Sequence, residues 1–144
     1  MATIERATTG DLPAVEALLG SAGLPLDGVA DAFRSGVVAR DDGRIVGCAG
    51  VELYGDAALV RSVAVDEPRR GEGLGTELVA GVEAVARDAG AREAYLLTET
   101  AEGWFPRFGY AAISRAEAEP AIGSSVEFTS ACAETCAALR RSLA

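Results

Sequence analysis

Two arginines run into three alternating glycines in "PRRGEGLGTELV", from Pro68 to Val79. Arg69 and Arg70 lead, and Gly71, Gly73 and Gly75 follow. Without side chains, those glycines leave successive backbone N–H groups open to a ligand. A helical pattern begins at once, so the same N–H groups sit at a helix N-terminus, where the dipole favours anions. Arg70 adds a forked donor suited to phosphate. A pyrophosphate fits such a nest. The plainer alternative is a tight turn into a helix with no ligand.

Two other phosphate-binding patterns are excluded. A nucleotide P-loop needs Gly-Lys-Ser/Thr, and all 13 basic residues here are Arg. A dinucleotide fingerprint is G-x-G-x-x-G after the first strand. Here the spacing is G-x-G-x-G, deep in a chain of 144 residues.

The charge balance sharpens the question. Acidic residues number 22 against 13 basic, a net charge of −9. This disfavours nucleic acid as a partner, so an anionic ligand needs a local basic site. An acidic surface without lysine fits either salt adaptation or a codon bias. Histidine is absent, which removes the commonest general base and metal ligand. No metal site is expected. The three cysteines, Cys48, Cys132 and Cys136, cannot close a disulfide set, and reduced thiols are expected. Cys132 and Cys136 share a helical spacing, but no third soft ligand stands beside them. No export signal and no membrane-spanning run is read, so the expected location is the cytoplasm.

The elements that must position the glycine loop can be read in order. "ATIERA" starts as a strand, and "GDLPAVEALLGSAG" has helical spacing closed by Gly23. "LDGVADAF" reads as a second short helix. "GVVARDDGRIVGCAGVEL" is a hairpin turning at Asp42-Gly43, and "AALVRSVAV" continues the antiparallel meander. After the loop, Leu78, Val79, Val82, Val85 and Ala86 share one helical stripe. "REAYLLTET" must then run parallel to "AALVRSVAV" if the helix is a crossover. A short helix in "AEGWFPRFGY", a strand at "YAAIS" and a last strand in "CAALRRSL" complete the chain. "AEAEPAIGSS" reads as irregular or a helical turn. Residues 1–144 are expected to form one domain.

"VAVDEPRRGEGLGTELV" resembles the signature of the GCN5-related N-acetyltransferases (GNAT): a strand, then Arg-x-x-Gly-x-Gly, then a helix. Arg70, Gly73 and Gly75 carry that pattern, and Ala101, Trp104, Phe105, Gly109 and Tyr110 match a later aromatic segment. The last third resembles, more narrowly, small arsenic-resistance N-acetyltransferases. The resemblance implies an α/β (α+β) fold with a mixed sheet of about six to seven strands and about four flanking helices. Two central parallel strands would splay around the acyl-CoA. It also implies acetyl-CoA as co-substrate and a small-molecule amine as acceptor, such as an amino acid or toxic analogue. A homodimer is left open.

The implied ligand contacts follow the two motifs. Pyrophosphate would sit on Arg70, Gly71, Glu72, Gly73, Leu74, Gly75 and Thr76. The pantetheine arm would pair with the strand at Val63, Ala64 and Val65. Trp104, Phe105 and Arg107 would border the arm and the adenosine.

Direct attack of an amine on the thioester needs no enzyme nucleophile, and a strand N–H can polarise the carbonyl. Glu52 and Glu99 are the candidate bases. Arg61, mid-strand in an apolar run, either pairs with Glu52 or holds a substrate carboxylate. The family often places a tyrosine where this chain has Phe105, which cannot protonate the leaving thiolate. Tyr54 or Tyr110 could substitute, or the thiolate leaves unaided. A non-catalytic acetyl-CoA-binding module is the alternative function.

Overall fold

The computed structural model describes residues 2–98, 101, 103–125, 128–129 and 136–144. Among the described residues seven strands form one sheet in the order β1-β2-β3-β4-β5-β7-β6. They are β1 (Thr3–Arg6), β2 (Val37–Asp41), β3 (Arg44–Tyr54), β4 (Ala57–Val65), β5 (Glu93–Thr98), β6 (Ala111–Ile113) and β7 (Ala137–Ser142). The helices are α1 (Leu12–Ser21), α2 (Val29–Ala32), α3 (Leu74–Asp88) and α4 (Arg115–Ile122). The mixed sheet and the four α-helices of the described residues agree with the expected fold class. The segment read as irregular or a helical turn holds most of α4, whose N-terminus is capped by Ser114 and Glu117 in a reciprocal pair. Within the described residues no helix is long and apolar enough to cross a membrane.

The β2–β3 hairpin turns at Asp42 and Gly43, both at positive φ, the geometry that twists with the flanking strands. The helix α3 lays its stripe of Leu78, Val79, Val82 and Ala86 on one face of the sheet. Each such Val or Leu contributes roughly 1.5–3 kcal/mol by leaving water. On the other face α1 and α2 pack around Val15, Leu19, Val29 and Phe33, and α4 covers Leu59, Tyr95 and Leu97. A buried network ties α3 to the last strand: the Tyr110 hydroxyl donates to Glu83 at 2.8 Å, and Arg141 donates to the same carboxylate at 3.1 Å. Burial, then the Glu83 charge, pushes the Tyr110 hydroxyl pKa up.

The one parallel pairing decides the shape of the centre. β4 and β5 pair only at Ala57↔Glu93, Ala58↔Ala94 and Leu59↔Tyr95. Beyond that point β4 stays on β3 as far as Val65↔Gly47, and β5 stays on β7 as far as Thr98↔Ala137. The two strands therefore part, and the β4 edge from Val60 onward faces a gap.

Asp11, just before α1, anchors that helix to β2. Its carboxylate accepts from the Thr8 N–H at 2.9 Å and from Arg40 Nη2 at 3.0 Å. Burial pushes the Asp11 carboxyl up, but the Thr8 and Arg40 hydrogen bonds outweigh it and hold it below its usual 3.8. A carboxyl lowered on folding stabilises above its unfolded pKa, and that stability is lost as pH falls through the folded pKa. Asp11→Asn should therefore lower Tm at pH 7, with the gap to wild type closing as pH falls below the usual 3.8. A gap independent of pH, measured by thermal melts, would contradict this.

Candidate active site

The gap between β4 and β5 opens into a cleft of about 830 Å³, within the range of small-ligand sites. It runs from the glycine loop to the parted strands.

At one end the loop leaves β4 through a short 3-10 turn, Glu67–Arg69, and enters α3 at Leu74. Gly71 and Gly73 take φ of +88° and +85°, and a Cβ on either would meet no protein atom within 4 Å. Such backbone is strained for L side chains, so these glycines serve the loop's path and leave its face clear. Gly75 is different: a Cβ there would lie 3.0 Å from the Trp104 ring. Its bareness admits an aromatic wall. Leu74 and Thr76 also line the cleft. Arg70 Nε donates to the Val65 carbonyl at 3.1 Å, which fixes the guanidinium beside the loop. Arg69 lines the cleft while bonded to Asp41 at 2.8 Å and Glu72 at 3.0 Å. Glu72 does not line the cleft, and its carboxylate is taken up by Arg69.

Along the wall, Val63, Ala64 and Val65 line the cleft. The β3–β4 register slips between Cys48↔Ala64 and Gly50↔Arg61, so Ser62 and Val63 both face Ala49. This bulge holds Ser62 at φ +58°. Bulges re-aim backbone groups beside sites, and here the distortion falls where the strand edge has lost its β5 partner. Cys48, buried and not disulfide-bonded, donates its S–H to the Ser62 carbonyl. Burial pushes that thiol up to about 12, so it is inert at neutral pH. Cys136 is disulfide-bonded, in contrast to the reduced thiol expected from the sequence. Cys132 lies outside the described residues.

At the far end Arg61 lines the cleft with its side chain wholly buried. Its Nη1 donates to Glu52 Oε2 at 2.9 Å and its Nε to Ser62 Oγ at 3.0 Å. The pairing alternative read from the sequence is the one seen. Tyr54 donates its hydroxyl to the other Glu52 oxygen. Burial and then Glu52 push the Tyr54 hydroxyl pKa up. Glu52 stands one side chain behind the lining, and Glu99 lies outside the described residues. Neither Tyr54 nor Tyr110 lines the cleft.

The third wall is aromatic. Trp104 meets Phe105 edge-on at 4.8 Å, and Phe105 meets Tyr110 at 5.7 Å. Trp104, Phe105 and Arg107 all line the cleft, and the Arg107 guanidinium lies 5.7 Å from the Trp104 ring centroid. Lining residues not read from the sequence as site residues are Ala22 to Pro25, Val60, Ser62, Arg69, Leu96 to Thr98 and Ala101. Gly23 and the proline after it mark a loop, but nothing local says that the loop returns to the sheet's open centre. Among the described lining residues the only ionisable side chains are arginines. No group of three His, Cys, Asp or Glu among the described residues could hold a metal.

Residues 33–112 match the family described as acetyltransferase (GNAT) domain. The chain belongs to that family. Over 120 residues it is 32% identical to an amino-acid acetyltransferase of Mycobacterium tuberculosis, covering 76% of this chain and 68% of that protein. It is 34% identical to an uncharacterised N-acetyltransferase of Chlorobaculum tepidum over 91 residues, covering 62% of this chain and 58% of the relative. Among solved structures, N-acetylglutamate synthase from Neisseria gonorrhoeae, complexed with coenzyme A and N-acetyl-glutamate, aligns with a TM-score of 0.84 at 22% identity. That alignment covers 100% of this chain and 35% of the synthase. A Mycobacterium tuberculosis protein in complex with CoA aligns with a TM-score of 0.77 at 23% identity, covering 99% of each chain. The GNAT match takes in the β4 edge, the glycine loop and the Trp104 wall together, so the described cleft is built largely from the family domain.

Proposed function

We propose that this chain transfers an acetyl group from acetyl-CoA to the primary amine of a small molecule, an amino acid or an amino-acid analogue. The observation that carries this reading is the continuity of one cleft, from the glycine loop to the open edge of β4. Pyrophosphate on the loop N–H groups would leave the pantetheine amides to run along Val63, Ala64 and Val65 as an added strand. The thioester would then reach the Ser62 bulge, where a backbone N–H polarises its carbonyl.

The amine attacks that carbonyl directly, the C–N bond forms, and the C–S bond breaks to release CoA thiolate. Phe105, buried and without a hydroxyl, gives the thiolate no proton. A thiol pKa near 8.5 lets it leave and take its proton from solvent. Three carboxylates stand one arginine behind the lining: Asp41 and Glu72 at the glycine loop, and Glu52 at the acetyl end. By position, Glu52 is the one that can take the amine's proton, through a water beside Arg61. Arg61 lends the acceptor end positive charge, which favours an acceptor bearing a carboxylate. The amino-acid acetyltransferase relative supports that class of acceptor.

Thiol release from acetyl-CoA across a panel of amines tests the assignment. Free amino acids, including arsenic-bearing analogues as the narrower resemblance implies, should be the fastest acceptors. Lysine-rich peptides as the best acceptors would overturn it.

A further inference from the structure

Four arginines line the cleft of a chain whose net charge is −9: Arg61, Arg69, Arg70 and Arg107. Three have assignments. Arg61 is held by Glu52, Arg69 by Asp41 and Glu72, and Arg70 by the Val65 carbonyl beside the glycine loop. Arg107 is exposed and makes no ion pair among the described residues. Its one contact of note is the Trp104 ring.

Arg107 is tied to the loop end of the cleft through Trp104. Trp104 closes over Gly75, the last glycine of the loop, and the Arg107 guanidinium packs on that ring. It is carried on the short turn Phe105–Phe108, whose first residue is buried in the core beneath. A pyrophosphate on the nest sends the pantetheine one way, along β4, and the adenosine the other way, toward the rim. That adenosine carries a 3′-phosphate dianion. A guanidinium held over an indole keeps its N–H fork available for phosphate oxygens.

We propose that Arg107, backed by Trp104, recognises the 3′-phosphate of the acyl-CoA and sets a preference for CoA over its 3′-dephospho form. This rests on the acyl-CoA reading of the cleft.

Isothermal titration of CoA and of 3′-dephospho-CoA into wild type, Arg107→Ala and Arg107→Lys tests it. Wild type should bind CoA about five- to tenfold tighter at low salt, a margin that shrinks as salt screens the exposed charge. Arg107→Ala should bring the two ligands within about twofold, by weakening CoA and sparing dephospho-CoA. Arg107→Lys should keep part of the margin. The substitution is on the surface, and an unchanged circular dichroism melt checks the fold. Three results overturn the proposal: no preference in wild type, a preference that survives in Arg107→Ala, or equal weakening of both ligands. Equal weakening would mean that Arg107 acts by packing on Trp104. Failure of wild type to bind either ligand is a separate result: it removes the acyl-CoA reading itself, and this inference with it.

Discussion

Gly73→Val should weaken CoA binding by about a hundredfold or more while leaving a folded protein. Two effects act together. Gly73 sits at φ +85°, where a β-branched residue is strained by roughly 1–3 kcal/mol. Gly73 lines the cleft, and a Cβ on it would meet no protein atom within 4 Å. Added methyl groups would therefore crowd the ligand and not the core, and the loop N–H groups would be re-aimed. Arg70→Ala should cost less, about tenfold, because the backbone donors remain. The chain's one tryptophan lines the cleft, so its fluorescence offers a direct titration signal. Normal CoA affinity in Gly73→Val would remove the loop from the binding site.

The glycine loop was legible in sequence because its signal is local. Alternate glycines, a preceding arginine and a following helical stripe are neighbours in the chain, and each has a backbone reason to be there. The same holds for the Asp42-Gly43 turn and for α3. That β5 runs parallel to β4 was also readable, because a helix between two strands forces a parallel crossover. What could not be read depends on distant pairings. The point at which β4 and β5 part, after Leu59↔Tyr95, is one such feature: beyond it each strand keeps only its outer partner, β3 or β7. That Gly75 exists for Trp104, 29 residues later, is a packing fact with no local mark. The role of Ala22 to Pro25 as a cleft wall depends likewise on how α1 sits across the sheet. The Arg61–Glu52 pair was anticipated because a charge within an apolar strand demands a partner, and the hairpin brings Glu52 within one diagonal.

Glu52 carries the second large expected effect. Its carboxylate accepts from a guanidinium whose side chain is wholly buried. Glu52→Ala should destabilise the protein by about 3–5 kcal/mol, since it removes one partner from a buried ion pair. A fall of that size takes a large share of a typical domain's stability. Glu52→Gln keeps an acceptor for Arg61 and for Tyr54, so it should fold and separate stability from chemistry. If Glu52 takes the amine's proton, Glu52→Gln should lower kcat by about a hundredfold. CoA affinity should hold, because the glycine loop is at the other end of the cleft. The ascending limb of the pH–rate profile should also shift to follow the free amine alone. A stable Glu52→Gln protein with wild-type kcat and an unchanged profile would leave Glu52 as the counter-charge of Arg61 only.

The most direct test of the whole reading is product stoichiometry. The purified chain is mixed with acetyl-CoA and a free amino acid, and both products are followed by mass spectrometry. The account predicts one N-acetylated amino acid for each CoA released, with no release beyond background when the amine is withheld. Tight CoA binding with no acetylated product from any amine would contradict it, and would make this GNAT domain a binding module.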